Sequence, residues 1–341
     1  MDTCTQLMAG PGLEWGQLAL MSSFSQLTVL DLDLGPSTSN SYKDSHEWLL
    51  PDVATLPRLE QLILQQLAVR PRSLSVLSEL TTLRILHVIS SVQSTQDFSC
   101  LPQITSLQFC QASHKLVTIK LPQGDLVALK VLNLNSCCRV MGLDAATQLT
   151  AIQVSGYQYS HGTVQWPTSL PHLQEIFVSG SNLRGLCHAL PEQWQHYTNL
   201  ITICLPPVES PGLPEWFSVL QKLDYLEMYE SKFDLFPNCP SQLCGLKSLD
   251  LGDLAETKIT ADIVGLASLP LLSHLNFGEM INAEYEGTNC DEGQKRINEE
   301  EEEYLDELED ALMSRLVPLF KTFAIRYSYD ILESTETSDV E

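Results

Sequence analysis

The sequence predicts a solenoid of stacked coils, each opening on a short half-buried strand. Two observations lead there. In Leu223–Pro237, LDYLEMYESKFDLFP, Leu226 and Met228 alternate with polar neighbours at the period of two that suits a strand. The apolar residues that follow, Phe233 and Phe236, fall at spacings that no single strand or helix gives, so the chain turns and returns along another layer. Such a coil cannot bury its own apolar face and needs copies of itself on either side. The second observation is that the copies exist. The first apolar residue of the strand recurs as Leu30, Leu62, Leu86, Leu107, Leu132, Ile152, Ile176, Ile203, Leu226, Leu249 and Leu275, in steps of 32, 24, 21, 25, 20, 24, 27, 23, 23 and 26 residues. A last copy follows at Phe320-x-x-Phe323-x-Ile325, with Phe323 48 residues beyond Leu275.

The pattern L-x-x-L-x-L at a mean step of about 24 residues resembles the leucine-rich-repeat (LRR) family, whose period runs from about 20 to 29. The resemblance covers residues 24–327. It implies an α/β solenoid, a curved horseshoe with parallel strands on its concave face and short helices or turns on its convex face. One departure matters. The family commonly places Asn or Cys at position 9 of the repeat, where the side chain bonds to the neighbouring turn. Here that column reads Gly35, Leu67, Ser91, Ala112, Cys137, Tyr157, Ser181, Val208, Ser231, Leu254 and Met280. Only Cys137 is of the expected type, so backbone donors at those turns need other partners, such as water or carbonyls of adjacent coils. Irregular convex sides are expected.

Taken in order, residues 1–23 read as an N-terminal cap, with Leu13, Trp15, Leu18 and Leu20 covering the open end. Residues 24–283 are the solenoid. The long first step carries a polar excursion, Gly35–Glu47, that reads as an extended loop. Several coils open on Leu-Pro, at Leu56-Pro57, Leu101-Pro102, Leu170-Pro171 and Leu269-Pro270, where proline ends the outer segment. Segments such as Ser73–Leu80 suit two helical turns on the outside. Residues 284–327 read as an acidic amphipathic helix over Glu292–Val317 followed by the degenerate last repeat, together a C-terminal cap. Within 284–310 stand thirteen acidic side chains and two basic ones, including Glu299–Glu303. Residues 328–341 read as a disordered acidic tail.

Composition narrows the function. At 341 residues a compact fold tends to split into two domains, whereas a solenoid adds coils without enlarging one core. Each coil buries about four to six apolar side chains at roughly 1.5–3 kcal/mol apiece, largely offset by ordering entropy. The 43 acidic and 19 basic side chains give a net charge of −24, which argues against nucleic-acid backbones and anionic membrane surfaces as partners. Met1–Met21 has neither a basic n-region nor an apolar h-region, so no signal peptide is expected. The ten cysteines lack the paired cap spacing of secreted LRR proteins. The expected location is therefore the cytoplasm, with a cytoskeletal or ciliary (axonemal) site or the nucleus as alternatives, and the expected state is a monomer.

Motifs that carry chemistry are missing. The sequence contains no G-x-x-x-x-G-K-[ST], G-x-G-x-x-G, H-E-x-x-H, G-x-S-x-G or C-x-x-C. The chain is therefore expected not to be an enzyme and to carry no cofactor or metal. His87 and His274 fall on outward strand positions far apart and read as solvated surface histidines. Cys137-Cys138 could form a redox or metal pair, but packing of Cys137 in a turn explains it better. Glu299–Glu303 lacks the alternating ligands and turn glycine of a calcium loop.

What remains is the outward face of the strands, whose residues the core does not dictate. Early coils are mixed and the middle is small and polar. Toward the C-terminal half the face becomes aromatic and acidic: Glu175 and Phe177, then Tyr225, Glu227 and Tyr229, then Asp250 and Asn276. Aromatic anchors beside carboxylates suit a protein partner with a basic surface or segment. The competing account is that these are tolerated surface residues of a drifting repeat. Two other uses stay open. The acidic C-terminal segment could hold basic clients, histone-like or cytoskeletal, by charge; or the repeats could be the recognition arm of a ubiquitin-ligase adaptor or immune-type receptor, although residues 1–23 are short for an adaptor's docking module.

Overall fold

The structure, a computed structural model, describes residues 4–10, 23–33, 49–67, 73–90, 95–111, 117–123, 127–135, 138–155, 165–179, 190–205, 209–210, 214–228, 232–233, 243–250, 269–280 and 322–327. Thirteen strands form one sheet, and their order in space is their order in the chain. They are Gln6–Ala9, Val29–Asp33, Gln61–Leu67, Ile85–Ser90, Ser106–Gln111, Val131–Asn135, Ala151–Ser155, Glu175–Ser179, Thr202–Leu205, Tyr225–Met228, Ser248–Asp250, His274–Met280 and Thr322–Tyr327. Every pairing is parallel. One strand per coil, each beside its predecessor, is the leucine-rich-repeat solenoid that the spacing predicts.

The register follows the leucine column. Leu30, Leu62, Leu86, Leu107, Leu132, Ile152, Ile176, Ile203, Leu226, Leu249 and Leu275 are Cα partners in succession, although their separations in sequence vary. None is more than 3% exposed. A one-residue slip would turn this column out to solvent, so burial holds the register. Variation in coil length is absorbed outside the strands.

Both ends of the column carry information. Leu7 pairs with Leu30, so the region read as a cap contributes a strand of its own. The side chains named for that cap lie outside the described residues. Phe323 pairs directly with Leu275 although the two stand 48 positions apart, about twice the mean step. The helix expected over 292–317, the excursion 35–47 and the tail 328–341 lie outside the described residues.

Tight turns with both ends buried lead into many of the strands. Leu59 N–H donates to the Leu56 carbonyl at 3.4 Å, Ile104 to Leu101 at 3.3 Å and Leu173 to Leu170 at 3.1 Å. Pro57, Pro102 and Pro171 occupy the second position of these turns, where the φ of about −65° imposed by the ring fits. Leu83 to Leu80, Leu200 to Tyr197, Leu223 to Leu220 and Leu246 to Leu243 close the same turn without proline, at 3.0–3.1 Å.

Beyond the turn the coils are joined by shared carbonyls. The Thr28 carbonyl accepts from Glu60 N–H at 2.9 Å and from Gln61 N–H at 3.0 Å, and the Glu60 carbonyl accepts from Arg84 at 2.8 Å and Ile85 at 3.0 Å. The same two-for-one bonding continues through the carbonyls of Arg84, Thr105, Lys130, Thr150, Gln174, Ile201, Asp224 and Lys247. This ladder runs at the opposite end of the strand from position 9. It satisfies main-chain donors without any side chain. Most position-9 residues lie outside the described residues.

The outer segments are uneven, as expected. Leu49–Ala54 is an α-helix, while Ser73–Glu79, Leu143–Ala145, Glu192–His196 and Glu215–Val219 are 3₁₀-helices. Three consecutive coils also carry a short strand beyond the main one, Gln96–Asp97, Val117–Lys120 and Cys138–Met141, and these form a second small parallel sheet. Adjacent coils approach closely at Gly245, where a Cβ would lie 2.5 Å from the Gln221 carbonyl oxygen of the preceding coil.

Candidate functional site

Strand alternation sends positions 4 and 6 of each repeat into the core and positions 3, 5 and 7 to the other face of the sheet. Burial confirms the division at Tyr225–Met228, where Leu226 and Met228 are buried while Tyr225 and Glu227 are half-buried. Parallel pairing in register then lines the outward residues into rows that cross the strands.

Two rows carry the predicted residues. The position-3 row runs Glu175, Thr202, Tyr225, Ser248, His274; the position-5 row runs Phe177, Cys204, Glu227, Asp250, Asn276. The structure thus brings Glu175, Phe177, Tyr225, Glu227, Asp250 and Asn276 onto four of five adjacent strands. Tyr229 lies outside the described residues.

The polar side chains hold one another. The Tyr225 hydroxyl donates to Glu227 Oε2 at 2.9 Å. Asn276 Nδ2 donates to both carboxylate oxygens of Asp250, each at 3.1 Å. Glu227 and Asp250 are Cα partners on neighbouring strands, so two like charges face each other across the sheet, an arrangement that destabilises a strand pair.

Cys204 sits in the middle of the group, with Phe177 and Glu227 as its Cα partners on either side. Burial, a hydrogen bond to Glu227 and the negative charges of Glu227, Asp250 and Glu175 push its thiol up to about 12. Burial, with the bond to Glu227, pushes the Tyr225 phenol up as well. Writing the repeats in columns exposes what a motif search passes over: T-I-C-L lies between E-I-F-V and Y-L-E-M, so two small side chains separate two pairs of large ones.

The N-terminal part of the face differs. Gln65 Nε2 donates to Asp31 Oδ1 at 3.1 Å. At the C-terminal end of the position-3 row His274 is exposed, with Nδ1 2.9 Å from Ser273 Oγ. His87, expected to be a solvated surface histidine, is half-buried, and among the described residues its Nε2 is buried with no hydrogen-bond partner. Burial lowers its pKa against the opposing pull of Asp31. Among the described residues no three His, Cys, Asp or Glu side chains are grouped to hold a metal ion, and no helix is long and apolar enough to cross a membrane.

No family model matches the chain, and no curated protein matches it. Solved structures do. An internalin, InlF, from Listeria monocytogenes shares 15% identity over 82% of this chain and 81% of that chain, with a TM-score of 0.43. The functional domain of InlJ from Listeria monocytogenes shares 15% identity over 82% of this chain and 54% of that one, with a TM-score of 0.46. The LRR ectodomain of the Arabidopsis receptor kinase HAESA, solved with a peptide hormone ligand, shares 18% identity over 67% of this chain and 43% of that one, with a TM-score of 0.40. Likeness at this level bears on nothing these proteins bind. The fold of this chain rests on its own strand register.

Proposed function

We propose that this leucine-rich-repeat solenoid is a non-catalytic scaffold that holds a protein partner with a basic surface against the C-terminal half of its strand face. One observation carries the reading. From Val29 to Asn276 the described outward strand positions include Asp31, Asp33, Glu175, Glu227 and Asp250, and no lysine or arginine. A face of one sign steers partners of the other and repels its own kind. The aromatic residues Phe177 and Tyr225 stand among three of those carboxylates, as interface anchors do.

Replacing Tyr225, Glu227 and Tyr229 together by Ala abolishes capture of a basic protein and leaves the circular dichroism spectrum unchanged. Capture with undiminished affinity by that variant would sink the reading. A second reading, that residues 284–310 hold basic clients by charge, is favoured by their thirteen acidic side chains. Deleting everything from 284 would also remove the Thr322–Tyr327 strand, so the cleaner separation is Glu299–Glu303 replaced by Gln. Loss of binding in that variant, with steep salt sensitivity in the parent, would transfer the function to the C-terminal segment.

A further inference from the structure

The strand Thr202–Leu205 presents only Thr202 and Cys204 on the outward face, with Glu175 and Phe177 on one neighbouring strand and Tyr225 and Glu227 on the other. Strands lie about 4.8 Å apart and side chains stand roughly upright from a sheet, so the two walls rise about 9.6 Å from each other over a low floor. The walls are crossed. One row reads Glu175, Thr202, Tyr225 and the other Phe177, Cys204, Glu227, so in each row a carboxylate faces an aromatic ring across the floor.

We infer that this trough receives a single arginine side chain of the partner, stacked against Tyr225 and Phe177 and bonded to the carboxylates of Glu175 and Glu227. The inference rests on the reading of this face as the docking surface for a basic protein and narrows it to one side-chain chemistry. A cation is required because no positive side chain of the described face meets these acids. Glu175 is exposed with no partner among the described residues, and Glu227 is already aimed by Tyr225. That Glu175, Glu227 and Asp250 all act on the Cys204 thiol shows that their fields converge on the trough floor. The choice of arginine follows from shape. A planar guanidinium stacks on a ring face and offers five donors in a fork, enough to reach carboxylates on both walls; an ammonium is a compact, strongly hydrated point charge that needs only one.

The test uses the full chain, fluorescein-labelled hexa-arginine and hexa-lysine, and fluorescence anisotropy at about 0.15 M salt, where exposed long-range charge is screened beyond about 8 Å. The parent chain binds hexa-arginine about tenfold more tightly than hexa-lysine. Cys204→Trp, which fills the trough, brings the two affinities together by weakening hexa-arginine alone, with circular dichroism and thermal melting reporting that it folds. Tyr225→Leu, which keeps apolar bulk and removes the ring, lowers the preference in the same direction and decides the matter if Cys204→Trp does not fold. Equal affinity for the two peptides in the parent overturns the arginine inference and leaves the basic-partner reading standing. Binding unchanged in both variants and lost when Glu299–Glu303 become Gln overturns the two together.

Discussion

Tyr225 and Glu227 point from the same face of one strand and are joined at 2.9 Å, the phenol donating to the carboxylate. The bond fixes a ring and aims a charge with a single contact. Tyr225→Phe keeps the ring and frees the carboxylate. For a half-exposed pair the loss is about 0.5–1.5 kcal/mol, read as a lower urea midpoint at an unchanged slope. An unchanged midpoint would mean that the bond stabilises nothing.

Glu227 and Asp250 oppose each other across neighbouring strands. Like charges directly opposite destabilise by about 0.2–1 kcal/mol, so Glu227→Gln should raise the melting temperature while its amide oxygen still accepts from Tyr225. Added salt should stabilise the parent more than the variant, because only the parent has the repulsion to screen. A lower melting temperature for Glu227→Gln at every salt concentration would show that the two carboxylates do not strain the sheet.

Stability should fall on the alkaline side. The Cys204 thiol is held up to about 12, against an ordinary 9.0, so the unfolded chain releases this proton first. Between those values the unfolded state binds fewer protons than the native one, and the free energy of unfolding declines as pH rises. Cys204→Ala removes this contribution and flattens the decline between pH 9 and about 12 relative to the parent, where Tyr225 still acts in the same direction. At pH 8 the exposed Cys244 should react with a thiol reagent well before Cys204. Equal rates would contradict the placement of Cys204 among its carboxylates.

Adjacent coils approach closely at Gly245. A methyl group there meets the Gln221 carbonyl at 2.5 Å and the Leu223 carbonyl at 3.2 Å. Both obstacles are main chain and yield only if the coil shifts. Gly245→Ala should therefore destabilise by about 1–3 kcal/mol despite the alanine's better conformational entropy. A denaturant midpoint at or above the parent's would show that the coils have slack.

The strand column was legible in the sequence because burial on one face leaves a period of two and a recurring leucine, and the register of Leu30 through Leu275 follows it. The last strand was legible too, since Phe320-x-x-Phe323-x-Ile325 repeats the pattern of the column and Phe323 pairs with Leu275. The strand at Gln6–Ala9 was not, since Gln6, Leu7, Met8 and Ala9 carry no L-x-x-L lead-in. The short strands at Gln96, Val117 and Cys138 were also hidden, because segments of two to four residues with one side buried look alike as helix or strand. At the site, the large residues were visible one by one. The trough was not, because it is made by small residues on the strand between them and appears only when neighbouring coils are laid side by side. His87 was misread because its half-burial depends on its place between Ile63 and Gln108 on the adjoining strands, which its own sequence context does not show.

The shared-carbonyl ladder has a consequence for how such a chain can change over time. The residues whose carbonyls do the joining are Thr28, Glu60, Arg84, Thr105, Lys130, Thr150, Gln174, Ile201, Asp224 and Lys247, with no chemistry in common among their side chains. A scaffold clasped by peptide groups is indifferent to which amino acid supplies each clasp. Its surface can be rewritten freely, acquiring one specificity and shedding another, while the stack beneath keeps its alignment.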